Sequence, residues 1–437
     1  MKLAVIGTGY VGLPTGVGFA EFGNQVVCVD KIASKIDKLN RGELTLFEDG
    51  LEDLFRRNTQ SGKITFTTDM KSAVQGADVV MLAVGTPPHP VTKEADMQYI
   101  RAAAEELAQY LDGYTVVATK STVPVGTGDE VEAIIRQANP SADFDVVSIP
   151  EFLREGLAVH DFFNPDRIVL GANSERAQNV MLKLYAPFKE KSRFLLVNRR
   201  SSETIKYASN AFLAMKIQYI NEMADFCEKS GADIMEVAEG MGLDSRIGRK
   251  FLNPGPGYGG SCFPKDTNAM AQMGRKYGVC LNLIETTIAK NDERKIQMGK
   301  RVINAIRSNP NGKIAVLGLA FKGGTDDCRE SPAIDIIKEM LNHSQHICVY
   351  DPKALENAKQ LLGDRVVYAH SIDEACRGAD VAVILTEWED FRNLNLKNLK
   401  AIMSTPKIID LRNMLNAEDA CAEGFDYYCI GMKQNIA

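Results

Sequence analysis

The sequence predicts an α/β protein with two Rossmann-like doubly wound parallel-sheet domains joined by a long central helix. Three observations carry that reading. Residues 1–30 run strand, glycine turn, helix, strand, acid. The same grammar returns after Pro310. Between the two copies, residues 201–230 contain neither Gly nor Pro, and apolar side chains recur there at helical spacing.

Residues 2–6 form a short apolar run, followed at once by Gly7-Thr8-Gly9-Tyr10-Val11-Gly12. A helix over 14–22 should end near Gly23, and a second strand over 25–29 leads to Asp30. The alternation continues through strands at 77–84, 115–119 and 144–149, with helices at 100–111 and 128–137. Strands alternating with helices imply a parallel sheet, because parallel neighbours need a crossover and the helices cover both faces. Over 201–230, Ile205, Ala208, Phe212, Met215, Tyr219, Met223 and Phe226 share one broad helical face. Ser201 or Ser202 can cap the start, and Gly231 can end it. Such a helix is about 45 Å long, which suits a spine between domains or a dimer interface. A further helix is expected over 281–308.

In the second copy, Lys313-Ile314-Ala315-Val316-Leu317-Gly318 echoes Lys2-Leu3-Ala4-Val5-Ile6-Gly7. Ile347-Cys348-Val349-Tyr350-Asp351 echoes Val26-Val27-Cys28-Val29-Asp30, and Ala379-Asp380-Val381 echoes Ala77-Asp78-Val79. The glycine triplet is missing there, so this copy is expected to bind something other than a dinucleotide pyrophosphate. The expected domains are 1–198, 199–308 and 309–437.

Composition narrows the function. The chain has 437 residues, with 51 Lys+Arg against 57 Asp+Glu and a formal charge of −6. That opposes a general nucleic-acid binder, which needs a basic surface. No apolar run approaches the ~18 residues of a membrane span. The first residues are too short an apolar stretch for a signal peptide and read as a strand. Nine cysteines occur singly, with no CxxC pair. Neither a disulfide framework nor a zinc site fits; a reducing cytoplasm does, with most thiols acting as small buried hydrophobes. The five histidines show no metal pattern, His343 and His346 are expected on the surface, and no metal is expected. Trp388, the single tryptophan, is expected in the core or beside a loop of the third domain.

Two motifs carry chemistry. Gly7, Gly9 and Gly12 form GxGxxG between a strand and a helix, with Asp30 closing the next strand. The glycines allow a tight turn, close approach to a pyrophosphate and tight helix–strand packing; the acid accepts from a ribose and repels a 2′-phosphate, favouring NAD. The segment Phe251-Leu252-Asn253-Pro254-Gly255-Pro256-Gly257-Tyr258-Gly259-Gly260-Ser261-Cys262-Phe263-Pro264-Lys265-Asp266 is too rich in Gly and Pro for a helix or regular strand. Such a loop can wrap a ligand with backbone amides. Cys262 stands near its end with Lys265 close by, and a neighbouring cation favours a nucleophilic thiolate.

With these stretches the chain resembles the nucleotide-sugar 6-dehydrogenases, the family containing UDP-glucose, GDP-mannose and UDP-N-acetylmannosamine dehydrogenases. The resemblance is also carried by Ser121-Thr122-Val123-Pro124-Val125-Gly126-Thr127, Pro150-Glu151-Phe152-Leu153-Arg154-Glu155-Gly156, Lys206-Tyr207-Ala208-Ser209-Asn210, Gly318-Leu319-Ala320-Phe321-Lys322 and Arg329-Glu330-Ser331-Pro332. These cover nearly the whole chain in family order, and the wording of the glycine loop is most like that of UDP-glucose enzymes. The resemblance implies oxidation of a UDP-sugar by two NAD and water through a thiohemiacetal and a thioester on Cys262. It implies catalytic roles for Cys262, Lys206, Asn210, Asp266, Glu151 and Thr122. Near the cofactor it places Gly7, Gly9, Tyr10, Val11, Gly12, Asp30, Lys35, Thr86, Thr122, Glu155, Lys265 and Arg329. Around the sugar nucleotide it places Glu151, Phe152, Leu153, Arg154, Glu155, Lys206, Asn210, Phe251, Leu252, Asn253, Pro254, Gly255, Gly259, Lys322 and Arg412. Arg246 is of a kind donated to the neighbouring subunit of a homodimer. Leu411 departs from the family, which commonly has glycine there. Residue spacing alone leaves the proton acceptor open among Glu151, Asp266 and Thr122. The same chemistry on UDP-N-acetylmannosamine or GDP-mannose is the alternative. A two-electron 3-hydroxyacid dehydrogenase would share the plan without needing Cys262, and a non-enzymatic NAD-sensing module would not need Lys206, Asn210, Cys262 and Asp266 together.

Overall fold

The computed structural model describes residues 1–307, 309 and 311–432; Ser308, the last residue of the helix expected over 281–308, lies outside them. By its internal contacts the chain divides into two units. One is Met1–Ser209 with Gln272–Gly278, the other Asn210–Ala271 with Val279–Ala437.

The first unit holds an eight-stranded sheet. Its strands are β1 (Lys2–Ile6), β2 (Gln25–Val29), β3 (Ile64–Thr67), β4 (Val79–Leu82), β5 (Thr115–Thr119), β6 (Phe144–Ser148), β7 (Arg167–Ala172) and β8 (Arg193–Val197). Their order is β3-β2-β1-β4-β5-β6-β7-β8. All neighbours run parallel except β6 and β7. The order reverses between β1 and β4, the switch point where ligands sit beyond the carboxyl ends of such sheets. The central strands β4 and β5 are buried throughout, so they read as continuous apolar runs rather than alternating ones. The helix after β1 spans Gly12–Glu21, starting at the third glycine rather than at Pro14, and nine of its ten residues are buried.

The second unit holds a six-stranded, all-parallel sheet. Its strands are β9 (Ile314–Leu317), β10 (Ile347–Tyr350), β11 (Val367–Tyr368), β12 (Val381–Ile384), β13 (Lys407–Asp410) and β14 (Asp426–Cys429), in the order β11-β10-β9-β12-β13-β14. The three sequence echoes fall on β9, β10 and β12, which occupy the same places as β1, β2 and β4. The two acids differ in use. Asp30 is half-buried, whereas Asp351 is buried and saturated by its own chain. It accepts from the amides of Leu319 (2.8 Å), Ala320 (3.1 Å), Lys353 (2.9 Å) and Ala354 (2.9 Å), and from Trp388 Nε1 (3.1 Å). Trp388 is thus half-buried and tied to this acid.

The long helix spans Arg199–Ser230. Asn198, not Ser201 or Ser202, caps it, its Oδ1 accepting from Ser201 N at 2.8 Å. Ser202 instead donates to Ser148 O at 3.1 Å. Gly231 ends the helix at φ +85°, as expected. The predicted apolar stripe is largely outward: Phe212, Tyr219 and Phe226 are 56%, 47% and 63% exposed. The buried side carries Glu203, Lys206, Asn210, Gln218 and Asn221 among Ala and Ile. A second correction concerns the glycine loop. Phe263, Pro264, Lys265 and Asp266 are not loop but the first turn of the helix Phe263–Lys276. Proline fits there because the first turn of a helix has no amide partner to lose. Six of the nine thiols are buried; Cys262 is half-buried, and Cys280 and Cys421 are exposed.

Replacing Asp351 by Ala strands buried amides of the β9 and β10 turns. We expect Asp351→Ala to lower stability by about 3 kcal/mol or more in urea unfolding, since each orphaned buried donor costs about 1–3 kcal/mol.

Candidate active site

In the first unit, the predicted residues gather at the carboxyl ends of β1, β2, β4, β5 and β6. Gly7 has φ +103°, and a Cβ there would stand 2.5 Å from the Ala83 carbonyl oxygen. A Cβ on Gly12 would run into the Gly7 carbonyl, so helix and strand pack as closely as the motif implies. Asp30 accepts from Thr8 N (3.1 Å), Thr8 Oγ1 (2.7 Å), Ile32 N (3.1 Å) and Lys35 Nζ (3.2 Å). Burial alone would raise its carboxyl; Thr8, the Ile32 amide and Lys35 outweigh that and hold it below the usual range. Tyr10 and Val11 are half-buried on the turn. Thr86 Oγ1 donates to Thr122 O at 2.9 Å, tying the ends of β4 and β5 together.

Beyond β6, the carboxylate of Glu151 is buried and pairs with Lys206 Nζ at 3.0 Å. It also accepts from the amide of Leu153. Burial would raise Glu151, but Lys206, the Leu153 amide and Lys120 hold it ionised, below the usual range. Phe152 lies beneath Arg167, whose guanidinium carbon is 3.7 Å from the ring centroid, with Lys206 Nζ at 5.2 Å. Arg154 is engaged with Asp161 at 2.5 Å and 2.8 Å, and Glu155 is half-buried beside it.

In the second unit, Asp266 is buried and accepts from Asn210 Nδ2 at 2.6 Å. Its other oxygen pairs with Lys265. Cys262 O accepts from Asp266 N at 2.8 Å, so the cysteine immediately precedes the helix Phe263–Lys276. Ser261 Oγ is 3.5 Å from Cys262 Sγ. The positive end of that helix favours negative charge on the sulfur.

The glycine loop from Pro254 to Gly260 is buried. Phe251 opens it in the left-handed region at φ +66°, an uncommon state for a bulky residue. Leu252 is buried, and exposed Asn253 accepts from Arg249 at 2.7 Å. Gly255 lies against Arg412, where a Cβ would be 3.3 Å from Nη1. A Cβ on Gly259 would collide with the Glu330 carbonyl, so only glycine permits that approach. Arg412 is aimed by Leu385 O (2.8 Å), Phe321 O (3.1 Å) and Glu387 (3.1 Å). Leu411 is fully buried in the core, so the departure from glycine leaves Arg412 in place. Lys322 is half-buried beside Phe321. Arg329 pairs with Asp327 at 2.7 Å, and Arg246 is 87% exposed and pairs with Asp244 at 2.6 Å.

Several positioning residues escaped the sequence reading. Asn221 Oδ1 accepts from Gly255 N (2.8 Å), and Arg294 Nε donates to Gly255 O (2.7 Å). Asn291 accepts from Tyr258 N (2.8 Å) and donates to Tyr258 O (3.1 Å). Glu48 accepts from the amides of Gly156 (2.9 Å) and Ala158 (3.1 Å). Glu203 accepts from Gly126 N (2.6 Å) and Gly128 N (2.7 Å), fixing the turn after Thr122. No motif marks these residues, because each acts across tens of positions on backbone.

Among the described residues there is no group of His, Cys, Asp and Glu able to hold a metal, and no helix long and apolar enough to cross a membrane.

A parallel sheet with a glycine turn, an acid closing the next strand and a buried lysine–carboxylate pair defines a nicotinamide-dependent dehydrogenase. The chain belongs to the UDP-glucose/GDP-mannose dehydrogenase family: residues 1–189 match its NAD binding domain, 200–293 its central domain and 315–417 its UDP binding domain. It is 52% identical over 435 residues to the UDP-glucose 6-dehydrogenase of Rhizobium meliloti (strain 1021), covering 99% of each chain. A solved UDP-glucose dehydrogenase of Pyrobaculum islandicum is 35% identical with a TM-score of 0.91, covering 98% of this chain and 97% of that one. A UDP-D-ManNAc dehydrogenase of Pyrococcus horikoshii is 28% identical with a TM-score of 0.87, covering 99% of both.

Burial pushes the Glu203 carboxyl from its ordinary 4.5 up to about 7, against the two amides it accepts from. A raised acid contributes stability that is complete below pH 4.5 and lost as pH rises to about 7. Glu203→Gln does not titrate, so its stability relative to wild type should improve across that window in thermal denaturation. A gap that stays constant with pH would rule this out.

Proposed function

We propose that the chain oxidises UDP-glucose to UDP-glucuronate, with two NAD and one water consumed. The observation that carries the reading is a half-buried cysteine closing a clamped glycine loop, in a chain 52% identical over 435 residues to a named UDP-glucose 6-dehydrogenase. The Gly7–Gly12 cradle and Asp30 fit NAD, because Asp30 suits a free ribose and opposes a 2′-phosphate. Gly7, Gly9, Tyr10, Val11, Gly12, Asp30, Lys35, Thr86, Thr122 and Glu155, with Lys265 and Arg329, would hold it. Bound NAD supplies the hydride acceptor at each of the two oxidations.

The chain's own groups do the rest. Lys206 stabilises the alkoxide as the alcohol proton leaves, and Asn210 orients the hydroxyl or a water. The aldehyde carbon has no second hydride to give until a nucleophile adds. The Cys262 thiolate donates its electron pair to that carbon, forming a C–S bond and an oxyanion that takes a proton as thiohemiacetal. Oxidation of this adduct leaves a thioester. Water, deprotonated by Glu151 or Asp266, adds to the carbonyl; the C–S bond breaks and the thiolate returns. Thr122 is assigned to this proton path. The second sheet's unit takes the UDP, with Phe251 to Gly255, Gly259, Lys322 and Arg412 around the sugar nucleotide and Glu151 to Glu155 around the sugar. The functional parts are 1–198, 199–308 and 309–437. The same chemistry on UDP-N-acetylmannosamine or GDP-mannose is the second reading, favoured only by the fold shared with the Pyrococcus horikoshii enzyme.

The outward apolar stripe of the long helix supports a homodimer in which Arg246 serves the neighbouring subunit. The nine free thiols support a cytoplasmic setting.

NADH yield per sugar tests the reaction. Wild type should form two NADH per UDP-glucose, and Cys262→Ser should release no acid. Turnover with another nucleotide sugar alone would move the substrate and keep the chemistry, whereas one NADH and an unaffected variant would end the thioester reading. Mixing Arg246→Ala with Cys262→Ser subunits tests the dimer: a donated arginine should restore about a quarter of wild-type activity from two inactive proteins. No restoration would place Arg246 in its own subunit's site.

A further inference from the structure

Lys120 is a buried lysine that the reaction above does not use. It follows β5, beside the Ser121–Thr127 turn, and is 7% exposed. Its ammonium donates to Tyr185 Oη at 3.4 Å. The same ring lies 5.9 Å from Nζ. Burial raises the Tyr185 phenol, so this partner stays neutral and does not cancel the charge.

Three elements bring Lys120 into one electrostatic cluster. Thr119 and Ser148 are direct neighbours on β5 and β6, so Lys120 and Glu151 leave the sheet side by side. Ser202 fixes the long helix to Ser148 O, which sets Lys206 one turn further on. Lys120 couples to both Glu151 and Lys206. The charged groups facing it are therefore Glu151 from the loop after β6 and Lys206 from the long helix, with neutral Tyr185 from the segment before β8. Lys206 thus pairs with the buried Glu151 carboxylate directly, while Lys120 acts on it electrostatically from its place beside Tyr185. Lys206 alone would already balance Glu151, so Lys120 is surplus as an ion-pair partner, and burying an extra cation is costly unless something uses it.

We propose that Lys120 is a positioning residue of this site, a second buried cation that keeps Glu151 ionised beside Lys206 as the proton acceptor. The inference rests on the reading of Glu151 given above and deepens it. Burial lowers Lys120 to about 8, with Glu151 opposing and Lys206 adding to the fall. Below that pH the lysine is charged, in the range where Glu151 would otherwise take up a proton. Above it the lysine is neutral, but there Glu151 needs no help. The effect is confined to the acid side.

The test is the acid limb of kcat for NADH formation from UDP-glucose, in wild type, Lys120→Met, Lys120→Arg, Tyr185→Phe and Glu151→Gln. Glu151→Gln should abolish the limb. Lys120→Met should move it to higher pH by about one unit, the shift an opposite charge at close range produces. Lys120→Arg should restore the wild-type position, and all Lys120 variants should converge with wild type at alkaline pH. A limb that persists in Glu151→Gln overturns the Glu151 reading itself. A limb lost in Glu151→Gln but unmoved in Lys120→Met overturns the Lys120 inference alone. If Lys120→Met does not fold, Tyr185→Phe decides: a limb displaced towards higher pH supports the inference, and an unmoved one overturns it.

Discussion

Backbone amides that leave a parallel sheet at its carboxyl end have no strand left to bond. Everything functional in this chain depends on how they are satisfied. A buried amide without a partner costs more than most contacts return, so each turn at the switch point must find an acceptor. Here the acceptors are side chains from distant segments. Glu203 holds the turn at Gly126 and Gly128, Glu48 holds Gly156 and Ala158, and Asp351 holds Leu319 and Ala320. The glycine loop, which cannot order itself, is held by Asn221, Asn291 and Arg294. Burying carboxylates is costly, and these turns offset that cost with short amide bonds.

The two sheets show one grammar put to two uses. Asp30 shares its oxygens with Thr8 and Lys35 yet stays half-buried. Asp351 occupies the equivalent place but closes over the turn that a pyrophosphate would need. The same acid stays partly open in one copy and is tied into the turns around it in the other. Arg412 is held there by the carbonyls of Leu385 and Phe321, beyond the ends of β12 and β9.

Much of this was legible in the sequence because it rests on local pattern. Strand periods, the glycine turn and the repeated order of segments fix both sheets and the long helix. Family motifs brought Glu151 to Lys206 and Asn210 to Asp266. Three things were not legible. β7 and β8 extend the first sheet through an antiparallel junction that no alternation announces. The apolar stripe of the long helix faces outward, since its inner side is given to polar groups such as Glu203, Lys206, Asn210 and Asn221. Apolar spacing alone cannot tell a face turned to the core from one left exposed. The first helical turn holding Lys265 and Asp266 was hidden by Pro264, which is a breaker anywhere except where it stands.

The distribution of thiols has a consequence for the life of the molecule. Six of the nine are sealed in the interior, and Cys262 is half-buried by the nature of its position. A peroxide or an electrophile therefore meets Cys262, Cys280 and Cys421 and passes over the rest. Modification at these three would leave the six buried thiols, and the packing they belong to, untouched.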